Sequence, residues 1–167
     1  MTPHEIEQAL KRLGDGMAIA VDNLHVAADH VTRFPLEYFM AAANVKIAAT
    51  LFDSGREQIV ALLMKSDPAQ SGSGALHILT HDIEKLVLDA KNLAEHLVLT
   101  GERGPQPAYA LDLHVRTERT VREVFERATG LHDRLIHFRF ANGCMNCTPS
   151  ASHPSEINTN KECCLHA

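Results

Sequence analysis

Tryptophan is absent from this 167-residue chain, and phenylalanine and tyrosine together supply only 5% of it. A core with so few large rings must be filled mainly by alanine and leucine, which suits close helix packing better than a β-sandwich. No run of about 18 uncharged apolar residues occurs, so no membrane span is expected. Positive charge is not in excess: 16 Lys and Arg stand against 21 Asp and Glu, a net charge of −5. A nucleic-acid partner would need cations to neutralise phosphates, and none is expected. The cluster Arg116, Arg119, Arg122 and Arg127 is interleaved with Glu118, Glu123 and Glu126, and reads as a solvated helix face. The first 16 residues are polar and lack the charged-then-apolar pattern of a secretory signal, so a cytoplasmic protein is expected.

Catalytic signatures are also missing. There is no Lys-bearing phosphate loop, no nucleophile elbow and no HExxH. The glycine-rich run Gln70-Ser-Gly-Ser-Gly74 follows a helical pattern and has no lysine behind it, so it reads as a linker. No residue pattern argues for an enzyme.

What is present is helical periodicity. Thr2 can cap a first helix, with Pro3 at its first position and Glu5 completing a capping box. Ile6, Leu10, Leu13, Met17, Ala20, Leu24, Ala27 and Val31 then alternate in steps of four and three, which places them on one stripe. Gly14 and Gly16 leave room for a kink or break near Asp15. Phe34-Pro35 ends the helix, because proline disfavours helix at the residue before it. A second helix is expected over about residues 36–52, where Ala41, Ala42, Ala43, Ala48 and Ala49 would let a neighbouring backbone approach closely. Ser54 and Glu57 form another capping box and open a short helix to about Lys65, unless both pieces are one helix bent around Gly55. The next stripe is Leu76, Leu79, Ile83, Leu86, Ala90, Leu93 and Leu97, with Gly101 as the expected C-cap. A last helix over about residues 108–141 carries Thr117, Val121, Val124, Ala128, Leu131, Leu135 and Phe138, and Asn142-Gly143 should terminate it. The expected fold is all-α: an antiparallel four-helix-type bundle over residues 1–142, with an extra short helix, and a non-helical Cys/His-bearing tail over 143–167.

All four cysteines lie in that tail, as Cys144, Cys147, Cys163 and Cys164. Read through Cys163 and His166, the spacing is C-x2-C, fifteen residues, then C-x2-H, which falls among zinc-binding spacings. A CxxC turn lets two thiolates converge on one ion, and a second pair folded back on them completes a tetrahedron. Coordination would supply the folding energy that a polar segment without large apolar residues lacks. Cys164 could take the place of Cys163, and His153 that of His166. Zinc on three thiolates and one imidazole is the first choice. Copper(I) suits the same soft donors. An iron–sulfur cluster is disfavoured, since adjacent Cys163 and Cys164 make poor simultaneous ligands. Two other readings compete: a redox pair of Cys144 and Cys147 on an interaction scaffold without metal, and an unstructured tail with incidental thiols.

Eleven histidines invite a third reading, a histidine-ligated metal enzyme inside the bundle. Their phase opposes it. His25, His30, His77, His81, His96, His132 and His137 fall beside the stripes, and only His114 occupies a stripe position. His77, His81 and Glu84 on one helix, or Asp22 and His25 on another, have the spacing of a surface chelate. His81 with nearby Lys85 could serve as a phosphoaccepting site, but the sequence around it lacks a glycine-bearing segment to admit a partner domain. The alanine-rich faces also allow a homodimer or a protein partner.

Overall fold

The computed structural model describes residues 3–33, 37–65, 73–103 and 110–144. They form four helices: α1 (Pro3–Arg33), α2 (Tyr38–Lys65), α3 (Ser73–Arg103) and α4 (Ala110–Cys144). Among the described residues there is no strand. Each helix packs on its two neighbours around a square: α1 on α2 and α4, and α3 on α2 and α4.

The cross-helix contacts fix the direction of every pair. Gly14 meets Ile136, His25 meets Phe125 and Thr32 meets Glu118, so α4 descends as α1 climbs. Leu13 with Gly55 and His30 with Glu37 give the same relation for α1 and α2. Phe39 with Gly101 and Asp53 with Lys91 give it for α2 and α3. Asp82 with Arg134 and Asp89 with Arg127 give it for α3 and α4. The bundle is therefore antiparallel at all four seams.

The stripes lie where their periodicity predicts. Seven of the eight α1 positions are buried, from Leu10 to Val31, and Ile6 is half-buried at the end. All seven α3 positions are buried, as are Thr117 through Leu135 of α4, with Phe138 packed at the margin. Apolar area removed from water stabilises the fold by about 25 cal/mol per Å², so these stripes are its main support. In α2, Ala41, Ala42, Ala48 and Ala49 are buried, while Ala43 faces solvent. Small residues on two faces let α2 nestle against both α1 and α3; the α3–α4 seam is the least extensive of the four.

Four local expectations change. The short helix opened by Ser54 is the second half of a continuous α2. Gly55 lies inside this helix and does not interrupt it. A Cβ there would stand 2.7 Å from Leu13 Cδ1, so the glycine makes room for the α1 side chain. Gly101 is likewise not a cap, because α3 runs on to Arg103. The Phe39 ring lies 3.1 Å from where its Cβ would be. α1 passes Gly14 and Gly16 without a break. α4 continues through Asn142 and Gly143 to Cys144, a shift within the usual fraying of helix ends. Thr2, Phe34 to Leu36 and the 70–74 linker's first residues lie outside the described residues.

Candidate functional site

Of the six tail residues singled out by spacing, only Cys144 falls in the described part of the chain, as the last residue of α4. Cys147, His153, Cys163, Cys164 and His166 lie outside the described residues. Cys144 stands at the bundle end where α1 and α3 begin and α2 finishes.

The histidines of the bundle do not converge. Among the described residues, no group of three or more His, Cys, Asp or Glu could hold a metal ion. His77, His81 and Glu84 are all exposed on α3. His25 is exposed and tilted against Phe125, ring centroids 5.5 Å apart. His132 is half-buried, with Nδ1 3.9 Å from Asp133. These contacts suit boundary positions on amphipathic helices.

His114 is different. At the opposite end of the bundle from Cys144, its Nδ1 lies 2.9 Å from the hydroxyl oxygen of Tyr38. Tyr38 is 8% exposed and His114 half-buried. Tyr38 opens α2 and His114 sits in the first turns of α4, so the bond spans the diagonal of the bundle, where α2 and α4 make no backbone contact. Burial pushes the Tyr38 phenol above its ordinary value of 10.0. One turn on, the buried hydroxyl of Thr117 donates to the Leu113 carbonyl at 2.8 Å. On the rim, His30 Nδ1 and Glu37 Oε2 are 2.5 Å apart and tie the end of α1 to the residue before α2. Glu37 also accepts the first backbone bond of α2, from Ala41 N–H at 3.0 Å. No buried side-chain polar atom among the described residues lacks a partner, as a stable interior requires. The Tyr38–His114 pair can share a proton and fix two helix starts.

A second polar cluster lies midway along the α2–α3 seam. Asp53 Oδ1 accepts from Arg56 Nε at 2.9 Å, and its Oδ2 from Lys91 Nζ at 3.4 Å. The Arg56 hydrogen bond, with help from Lys91, holds the Asp53 carboxyl below its ordinary 3.8 against an opposing effect of partial burial. Asp53 and Arg56 are three apart, so their pairing was readable in sequence; Lys91 comes from another helix and was not. The stripe phase of His114 was readable too, but its partner belongs to a helix two positions away in chain order.

No family model, curated protein or solved structure matches the chain. Among the described residues, no helix is long and apolar enough to cross a membrane.

Proposed function

We propose that this is a small helical-bundle protein that carries one zinc ion on its C-terminal Cys/His segment, in a structural or regulatory role. The observation that carries the reading is the confinement of all four cysteines to the last 24 residues, in the spacing C-x2-C-x15-C-x2-H. The donor set is Cys144, Cys147, Cys163 and His166, with Cys164 and His153 as alternates. Two features support it. Cys144 is the final residue of the 35-residue helix α4, so the backbone of the first candidate donor belongs to the bundle. The CxxC opens at that residue, so Cys147 follows it by three positions in sequence.

Three thiolates and an imidazole leave zinc with a closed tetrahedral shell, which is the chemistry of a structural site and not of a hydrolytic one. The ligands bind deprotonated, so loading releases protons and acid expels the metal. A reducing compartment such as the cytoplasm keeps the thiols available.

Elemental analysis of the anaerobically purified full-length chain tests the reading. About one zinc per chain is expected from the four-donor shell, and Cys147→Ser should lose it while the helical signal of the bundle stays. Copper or iron in its place would change the metal but keep the site. A metal-free protein whose thiol titre falls on mild oxidation would replace the zinc reading with a Cys144–Cys147 redox pair on a scaffold. Metal that survives Cys147→Ser and Cys163→Ser together would move the site off the cysteines.

A further inference from the structure

The α3–α4 seam, the least extensive of the four, opens into a groove of about 380 Å³ lined by Asp82, Lys85, Arg127, Gly130, Leu131 and Arg134. Leu131 is buried and forms its apolar floor. Arg127 and Arg134 are seven apart on α4 and flank Gly130. Each guanidinium spends one terminal nitrogen on an α3 carboxylate: Arg134 on Asp82 and Arg127 on Asp89, both at 2.5 Å. These bonds hold the two forks at the groove and leave most of their five N–H donors for something else. Lys85, exposed on α3 between the two aspartates, makes no ion pair among the described residues. Lys85, Arg127 and Arg134 thus face Asp82 in the groove and Asp89 beside it, and Lys85 is the cation that neither aspartate pairs.

Gly130 points the same way. A glycine within a helix costs about 1 kcal/mol relative to alanine. Gly55 and Gly101 make room for Leu13 and Phe39, but a Cβ at Gly130 would meet nothing within 4 Å. Gly16 and Gly74 are equally open, but Gly130 is the one of the three that lines the groove.

We infer that this groove is a binding site for the phosphate group of a small phosphorylated molecule, held by Lys85 and the free N–H donors of Arg127 and Arg134. Arginine forks match the tetrahedral oxyanion through paired N–H bonds, and lysine adds a point charge. The volume is near the lower end for small-molecule pockets, about 300–1,000 Å³, which fits a small ligand and not a polymer.

A titration of the ¹⁵N-labelled full-length chain with inorganic phosphate, at ionic strength matched with chloride, tests this. The amides of Gly130, Leu131 and Arg127 should shift saturably with a millimolar dissociation constant. Lys85→Gln should weaken binding about tenfold, the scale of one charge-assisted bond. Gly130→Leu, which fills the groove from an exposed position, should abolish binding with the helical signal intact. Lys91→Gln removes an equal charge from the α2–α3 seam, where Lys91 pairs with Asp53, and should bind like the parent. Shifts that chloride reproduces, or equal loss in Lys85→Gln and Lys91→Gln, would overturn the site and leave only general electrostatics.

Discussion

Alanine at Gly55 and at Gly130 should move the stability of the bundle in opposite directions. Both glycines lie inside helices, α2 and α4. Alanine therefore gains about 1 kcal/mol of helix propensity at either place, partly by restricting the unfolded chain. At Gly130 nothing lies within 4 Å of the new methyl group, so the gain is kept. That amounts to a rise in Tm of about 3 °C for a chain of this size. At Gly55 the methyl would stand 2.7 Å from Leu13 Cδ1 and 4.0 Å from Met17 Cγ. Both neighbours are core residues, 2% and 1% exposed, so Leu13 cannot swing into solvent. Overpacking of this kind costs about 1–3 kcal/mol, which outweighs the propensity and leaves a net loss of about 1 kcal/mol. Gly101→Ala should fall between, because the Phe39 ring at 3.1 Å is 50% exposed and can yield. Urea unfolding followed by far-UV circular dichroism reads all three, and unchanged m-values would show that midpoint shifts report stability and not a change in the surface exposed on unfolding. If Gly55→Ala proved as stabilising as Gly130→Ala, the α1–α2 register that brings Leu13 over Gly55 would be refuted.

Tyr38→Phe should cost about 1 kcal/mol, the net worth of one hydrogen bond, measured by the same unfolding. Its pH dependence has a definite sign. The phenol keeps its proton longer in the folded state, so its contribution is full below the ordinary value of 10.0 and is lost as pH rises through the higher folded value. The parent should lose stability above that pH more steeply than Tyr38→Phe; parallel curves would remove the burial argument. Asp53 has the opposite sign. Its folded carboxyl titrates below 3.8, so its contribution is full above that pH and fades as acid reaches the lower folded value. Asp53→Asn should flatten the acid limb of the stability curve, weakly, because the carboxylate is a third exposed and screened. For the metal, Cys147→Ser should take zinc from about one per chain to none, read by elemental analysis. Retention of zinc by that variant would exclude the CxxC as half of the site.

The helices of this protein were legible in the chain because a period of 3.6 residues is a local property. The stripe from Leu10 to Val31, and those through Leu97 and Leu135, needed only spacing to be assigned to the core, and all of them are buried there. The absence of tryptophan and the alanines of α2 pointed to close packing for the same reason. Capping signals were less informative. Ser54 and Glu57 form a capping box in sequence yet lie within α2, because two buried flanks, Phe52 and Ile59, hold the helix through them. The candidate zinc donors also came from spacing alone, and tertiary structure adds only that Cys144 ends α4.

Tertiary structure decided what depends on which helix faces which. Gly55 read as the point of a possible bend and Gly101 as a C-cap, and packing made them sockets for Leu13 and Phe39. Tyr38 and His114 are 76 positions apart on diagonal helices, and no periodicity could have paired them. The ladder of Asp82 with Arg134 and Asp89 with Arg127, and the groove beside it, exist because α3 and α4 run in opposite directions at one particular register. A sequence read one helix at a time says which face is apolar. Only the closed bundle determines which charged residues at the edges of those faces meet.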